Sequence, residues 1–470
     1  VYSIKIWTSQ PNGSSDGNSR NDTLLFKNLQ TTMNGTYTIG GTSANYPTFN
    51  AAVNDLKARG ICSSVLFRVN PGTYTECVSI PFINGASNIN TITFESYNHD
   101  SNSVDLNYAS TSTTDNYVVQ LNGADYITFR QIKIRATGAT YGRPVDISGG
   151  SDYNNFINNI ILPLPRATSS NFMGIYSNST LDNYNSIVNN IISGGYYGLY
   201  MYGAGSTSLE NRNIIKNNWI KDFYYYGIMS YYQSSNTIEG NRVQNHSSSV
   251  NSYNIYLSYN NDSIKITKNR IELSASGTNI GMYVYYCTGT ASATGLIANN
   301  FISQTSLSTG SNYGFYIYYS NYQNIYYNSV NITANTGVNN RAANVYYGSF
   351  INLRNNIMAS TGGGYAMYIL PGTNVSVSDY NDLYTTGSLL GYWNADQPNL
   401  ASWKSASAQD ARSVSADPFF YTSIDLHAYS QILDSAGIPV SVVITDIDGQ
   451  PRNATKPDIG ADEFTVFNRD

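Results

Sequence analysis

The sequence predicts an all-β solenoid built from short strands, three to a coil, and three observations predict it. One phrase, apolar–x–x–Asn–x–apolar, recurs eight times between Phe156 and Met358. Its asparagines are Asn159, Asn190, Asn218, Asn241, Asn269, Asn300, Asn328 and Asn356, separated by 31, 28, 23, 28, 31, 28 and 28 residues. Such periods signal repeat architecture, and the units are too short and strand-like for helix pairs. A second column recurs once per unit: Gly174-Ile175-Tyr176, Gly198-Leu199-Tyr200, Gly227-Ile228-Met229, Asn254-Ile255-Tyr256, Gly281-Met282-Tyr283, Gly314-Phe315-Tyr316, Asn344-Val345-Tyr346 and Ala366-Met367-Tyr368. Finally, 470 residues exceed what one ordinary core uses, but a stack in which each coil touches only its neighbours escapes that limit.

Residues 1–45 read as an N-terminal extension, with a strand near Val1–Trp7 and a flexible loop over Gln10–Asn21. A helix is expected over residues 47–59, with Pro47 in its first turn and Gly60 as its stop. Phe49, Ala52, Val53 and Leu56 share one face, which suits a cap over the open apolar end of a stack. Strands follow at Ser64–Val69, Cys77–Pro81, Thr91–Ser96 and Tyr117–Leu121, and Arg130 is aligned with the asparagine column one coil early. Coils run to about residue 385, and residues 386–470 form an irregular C-terminal wrap. The asparagines are assigned to left-handed bends between the second and third strands, with their amides bonded from coil to coil. Connections between the second and third strands hold constant length, so a binding site is expected on the other sides.

Charged residues make up only 12% and the net charge is −5, so nucleic acid is an unsuitable partner. Asn, Ser, Thr, Gly and 43 Tyr replace the charges, which suits an extracellular β-structure with a neutral polar surface. No apolar stretch reaches the ~18 residues of a membrane span. Val1 is not followed by a secretory leader, so the sequence reads as a mature chain or a fragment. Cys62 and Cys77, flanking Asn70-Pro71-Gly72, are a disulfide candidate, with two separate buried thiols as the alternative. The three histidines, His99, His246 and His427, lie far apart, and no metal site is expected. Asp446-x-Asp448-Gly449 opens like a calcium loop without the later ligands, leaving calcium as the one cofactor to consider.

Strand–turn–strand coils with stacked internal asparagines resemble the right-handed parallel β-helix superfamily that includes pectate lyases. The match covers roughly residues 60–385. Gly35-Thr36-Tyr37-Thr38-Ile39-Gly40-Gly41, the cap helix and Val65-Leu66-Phe67-Arg68-Val69-Asn70-Pro71-Gly72-Thr73-Tyr74-Thr75-Glu76 resemble the opening of secreted β-helix proteins of Bacteroidota, and distantly that of pectin methylesterases. Asp417-Pro418-Phe419, Asp425-Leu426-His427, Asp446-Ile447-Asp448-Gly449, Arg452 and Pro457-Asp458-Ile459-Gly460-Ala461-Asp462-Glu463 resemble the C-terminal wrap of such proteins. Asp22-Thr23-Leu24, Asp262-Ser263-Ile264 and Asp434-Ser435-Ala436 are similar to that phylum's O-glycosylation motif. The resemblance implies a secreted or cell-surface β-helix exported by the type IX route; it does not imply one activity.

Enzymes on this fold need charge, either Lys or Arg as base with a cation on clustered carboxylates, or paired Asp. Acids are sparse between residues 150 and 370, and the motifs of the pectin enzymes are absent. Asp152, Asp182 and Asp262 recur just before the second strand and read as turn residues. The one charged patch is central. If the protein is a lyase, Arg242 and Arg270, stacked behind their asparagines, are the expected actors, with Glu239 and Lys268 as their partners. The alternative is ion pairs on a solvated face. The outward set Tyr176, Tyr200, Tyr202, Tyr231, Tyr256, Tyr283, Tyr285, Tyr316, Tyr318, Tyr346 and Tyr368 should form an aromatic stripe suited to sugar faces or a protein surface. Self-stacking of the rings is the structural alternative. Three functions stay open: a non-catalytic adhesive or glycan-binding module, a subunit of an extracellular filament or sheath, and a polysaccharide lyase or hydrolase.

Overall fold

The computed structural model describes residues 2–8, 10, 13–14, 23–245, 251–304, 308–334 and 337–466. Val1, His246 and most of the Gln10–Asn21 segment lie outside the described residues. The fold is a right-handed parallel β-helix of successive three-strand coils. Third strands pair only with third strands, giving a 12-stranded parallel sheet from Gly72–Thr75 to Asp382–Thr385. First and second strands join in a larger sheet, because strands such as Asn312–Tyr326 and Asn340–Arg354 run through both faces.

Parallel stacking begins inside the segment read as an extension, where Met33–Ile39 pairs with Ile61–Val69. It also continues into the segment read as wrap, where Gly391–Trp393 pairs with Met367–Ile369. Ahead of the stack, Tyr2–Trp7 and Thr23–Leu29 form a separate antiparallel hairpin that exposes Ile4, Ile6, Trp7, Leu24 and Phe26. Helix α1 spans Phe49–Arg59 and buries the four expected residues. It starts two residues late: Thr48 is the N-cap, accepting from Ala51 N–H at 3.1 Å, so Pro47 lies outside the helix. The Glu76 carboxylate accepts from the N–H groups of Phe49 and Asn50 at 2.9 Å each, placing negative charge at the helix N-terminus. At the opposite end a second helix, α2 (Leu400–Ser407), buries Trp403 edge-on to Trp393, with ring centroids 5.2 Å apart.

The interior is a set of columns. Phe67, Phe94, Phe129 and Phe156 stack at centroid spacings of 4.8, 5.0 and 5.9 Å, and Ile187, Ile215, Ile238, Ile266, Ile297 and Ile325 continue that column. The glycine of Gly-apolar-Tyr points inward at a close approach. A Cβ on Gly198 would lie 2.6 Å from both Gly227 O and Ile220 Cγ2, and Gly174, Gly227, Gly281 and Gly314 are equally confined.

The asparagine column is a continuous ladder. Asn269 donates from its backbone N–H and from Nδ2 to Asn300 Oδ1 at 3.0 Å each, and Nδ2 also reaches Ile238 O at 2.9 Å. Its own Oδ1 accepts the same pair from Asn241. The pattern holds from Asn159 through Asn190, Asn218, Asn241, Asn300, Asn328 and Asn356, and extends to Asn381. The bend itself is made one residue earlier than expected. Asn158, Asn189, Asn217, Gly240, Lys268, Asn299, Tyr327 and Asn355 carry φ between 52° and 66°, while the ladder asparagines do not take positive φ. Separating the two tasks frees each ladder amide to point inward and bond.

Two alignments are corrected by register. Phe129 pairs with Phe156, so Ile132, not Arg130, occupies the ladder column, and Ile132 N–H donates to Asn159 Oδ1 at 3.1 Å. Arg130 points outward to Glu95. Asn344 pairs with Tyr316, so Ala342-Ala343-Asn344 is the Gly-apolar-Tyr equivalent and Tyr346 belongs two places on, beside Tyr318. The Cys62–Cys77 disulfide is not formed. Cys62 Sγ faces Met33 O and Asn34 at 3.8 Å, and Cys77 Sγ donates to Tyr117 O at 3.5 Å, so each thiol turns to an adjoining coil.

Candidate functional site

The first-strand face carries the tyrosines in two parallel columns. Strand register aligns Tyr176, Tyr200, Met229, Tyr256, Tyr283, Tyr316, Asn344, Tyr368 and Tyr392 in one. Two places on, Tyr202, Tyr231, Ser258, Tyr285, Tyr318 and Tyr346 form the other. All eleven expected tyrosines are half-buried. Neighbouring rings stack: Tyr202–Tyr231 at 4.7 Å, Tyr283–Tyr316 at 4.8 Å and Tyr318–Tyr346 at 5.7 Å, all within 19° of parallel. The nine strands of the first column span roughly 38 Å at ~4.8 Å per strand.

Two flanking columns widen this face. Tyr197, Tyr226 and Tyr253 align on one side. On the other, Tyr232, Tyr259, Tyr286, Tyr319 and Tyr347 sit in left-handed turns with φ between 46° and 56°. From Tyr259 to Tyr347 their rings stack on one another at 4.7–5.4 Å, and Tyr232 lies tilted against Tyr259 at 5.4 Å. The doublet Tyr-Tyr in Tyr231-Tyr232, Tyr285-Tyr286, Tyr318-Tyr319 and Tyr346-Tyr347 was the available signal for this column. Burial, reinforced by neighbouring phenols, pushes the hydroxyls of Tyr200 and Tyr316 up to about 12, so both are neutral at pH 7. Cations lie at the margins, with Arg143 over Tyr176 at 3.6 Å and Arg341 over Tyr368 at 3.7 Å.

The central charges are not gathered into one cluster. Arg242 and Arg270 are in register on the third-strand face, as their spacing implied. Neither pairs with the expected acid. Arg242 pairs with Glu272 at 2.8 Å, and Arg270 pairs with Asp448 of the wrap at 2.7 Å. Glu239 lies before the bend and pairs with Lys216 at 2.9 Å, while Lys268, at the bend, donates to Thr445 Oγ1 at 3.0 Å. The bend therefore separates the residues named for a lyase onto two faces. A cavity of about 560 Å³ lies on the second-strand side, lined by Glu239, Lys265, Lys268, Asn299 and the apolar Val442 and Ile444. A smaller one of about 270 Å³, on the other side of the bend, holds Arg242, Arg270, Glu272 and Asp425.

Inside the coils, Glu210 and Asp182 are both fully buried. Ser177 Oγ lies 3.0 Å from Asp182 and 3.1 Å from Glu210, and Gln233 Nε2 donates to Glu210 at 2.5 Å. Burial pushes the Glu210 carboxyl up to about 8, so it is largely protonated at pH 7. Asp182 also accepts from Gly150 N–H and Ser151 N–H at 3.0 and 2.8 Å, and Asp152 accepts from Asn183 N–H at 2.6 Å, which is the turn role expected for both. In Asp446-Ile447-Asp448-Gly449, Asp446 is consumed by the N–H groups of Asp448, Gln450 and Glu463. Asp448 instead faces Arg270 and His427.

No family model and no curated protein matches the sequence. Among solved structures the chain is similar to pectate lyase Pel9A, at 16% identity and TM-score 0.46, covering 92% of this chain and 97% of that one. It is also similar to the Dettilon tailspike protein, at 13% identity and TM-score 0.43 over 71% of this chain and 63% of that one. A pectin methylesterase from Erwinia chrysanthemi shares 11% identity at TM-score 0.34, over 61% of this chain and 90% of that one. The chain is a parallel β-helix by its own strand pairing.

Proposed function

We propose that this protein is a non-catalytic extracellular module that holds an extended neutral glycan along its tyrosine face. The observation that carries the proposal is the aromatic face itself, with ranks of half-buried rings repeating at strand spacing over roughly 38 Å. Neutral phenols offer apolar ring surface beside hydroxyl donors and acceptors, the combination a sugar ring meets with its CH and OH groups. Contacts repeated along a polymer add up without any one being strong. The pairing of Arg242, Arg270 and Glu239 with partners other than one another favours this reading over a lyase.

The test compares the parent with a Tyr283→Ser/Tyr316→Ser double variant on an array of neutral glycans of graded length. Retention should grow with glycan length for the parent and drop several-fold for the variant. Equal retention by both removes the proposal. In parallel, incubation with pectate, alginate and chondroitin should give no ultraviolet absorbance from unsaturated product; a rise abolished by Arg242→Ala would establish the lyase instead. One feature favours the filament alternative, the exposed apolar hairpin of Tyr2–Trp7 and Thr23–Leu29. Sedimentation velocity of the parent separates a monomer from an assembling subunit.

A further inference from the structure

We propose that His427, Asp448 and Asp462 form a site for one divalent transition cation that fastens the C-terminal wrap to the solenoid. His427 Nε2 lies 2.7 Å from Asp448 Oδ2 and 3.9 Å from Asp462 Oδ1, and the three donor atoms fall within 4.8 Å of one another. The other ring nitrogen, Nδ1, is held by Asp425. Asp425 holds the far nitrogen as in carboxylate–histidine–metal arrangements, and a cation would take the place of the proton that Nε2 shares with Asp448 Oδ2. The Phe301 ring lies edge-on to the imidazole, with centroids 5.1 Å apart, and further restricts its orientation.

Asp462 is only 6% exposed, and among the described residues its carboxylate accepts no hydrogen bond. A buried carboxylate normally accepts hydrogen bonds, and among the described residues the ion-pair partner of this one is His427. This one is aimed at His427 Nε2 across 3.9 Å, a gap that a cation fills better than a direct hydrogen bond. The outer oxygen of Asp448 is already engaged by Arg270 at 2.7 Å, which leaves Oδ2 for the site and links it to the third-strand face. The cavity of about 270 Å³ is lined by Arg270, Phe301 and Asp425, each of which touches His427 or Asp448.

The donor set selects the cation. One imidazole nitrogen with two carboxylates suits zinc or manganese, whereas calcium takes six to eight oxygens. Donors ~2.0–2.1 Å from a tetrahedral ion sit about 3.3 Å apart. His427 and Asp448 would open by about 0.6 Å, Asp462 would close on His427 by about as much, and Asp448 and Asp462, within 4.8 Å of each other, would draw together as well.

The test uses untagged protein stripped with EDTA and dialysed. Zinc chloride and manganese chloride are titrated calorimetrically, and bound metal per chain is measured after removal of excess. The expected result is one saturable site, a melting midpoint that climbs with free cation, and at least a tenfold affinity loss in Asp462→Asn and in His427→Gln. Asp448→Asn serves as a further variant should either of these fail to match the stripped parent's circular dichroism. Absence of a 1:1 site in the parent, or equal binding by correctly folded variants, overturns the proposal and leaves His427 and Arg270 as counter-ions of the cluster. Saturation by calcium at equal affinity overturns the assignment to a nitrogen-preferring cation.

Discussion

Replacing Glu210 by glutamine should stabilise the protein, increasingly so as the pH rises. Glu210 is fully buried between Ser177, Asn213 and Gln233, with Asp182 as its charged neighbour, and its pKa is raised from 4.5 to about 8. The unfolded chain releases this proton near pH 4.5, whereas the folded chain keeps it to about pH 8. Between those values the folded state binds more protons, so its stability declines with increasing pH. The contribution is fully present below pH 4.5 and lost through pH 8. At ~1.36 kcal/mol per pH unit the whole window is worth on the order of 5 kcal/mol, of which about 3 kcal/mol is gone by pH 7. Glutamine reproduces the protonated form: its carbonyl accepts from Gln233 and Asn213, and its amide donates toward Ser177 or Asp182. For a chain of 470 residues unfolding as one unit, 3 kcal/mol corresponds to about 3 °C in melting midpoint. Calorimetry of parent and Glu210→Gln from pH 4.5 to 8.5 should give curves that coincide at the acid end and diverge steadily. Parallel curves, or a variant that melts below the parent at pH 8, would refute the protonated assignment.

Two further predictions concern the stack. Asn269→Leu removes the side-chain bonds to Asn300 and Ile238 and leaves the Asn241 backbone N–H without an acceptor, while Asn241 Nδ2 keeps only Ile215 O. At ~1–3 kcal/mol per stranded buried group it should cost several kcal/mol, and a denaturation midpoint equal to the parent's would contradict the ladder. Gly198→Ala would drive a Cβ to 2.6 Å from Gly227 O, so chemical denaturation should show a loss of ~1–3 kcal/mol, and an unchanged midpoint would mean the coils separate freely there.

The solenoid was legible because its constraints repeat. Each ladder asparagine keeps a fixed offset from inward apolar residues, and the repetition exposes it even at 23-residue spacing between Asn218 and Asn241. Where the marker is missing, alignment drifts: Arg130 was placed in a column that Ile132 occupies, and Tyr346 slipped by two, a shift that keeps inward and outward parity intact. A second ladder is also written in the sequence. Asn154, Asn185, Asn213 and Asn236 precede the first ladder by five residues each, and each backbone N–H donates to the next Oδ1 at 2.8–2.9 Å. Periodicity places neighbours along the stack, but it does not say which side of a bend a side chain takes, so Glu239 was wrongly joined to Arg242. The wrap has no period, and nothing local links Asp448 to Arg270, 178 residues away, or brings His427 beside Asp462.

The ladder also sets the grain at which this protein can change length. Every asparagine is donor to one neighbour and acceptor from the other, so a whole coil brings both halves of the bargain with it. Inserting or deleting one complete coil leaves every remaining amide satisfied, and the spacing of 23 to 31 residues shows that the loops between strands absorb wide variation. A single residue added within the bend does the opposite: it rotates the following asparagine out of line and strands the groups on both sides. Growth of such a chain is therefore quantised, in whole coils and in loop lengths, with the bend between second and third strands held fixed. That makes the length of the aromatic face a quantity adjustable in steps of one strand spacing.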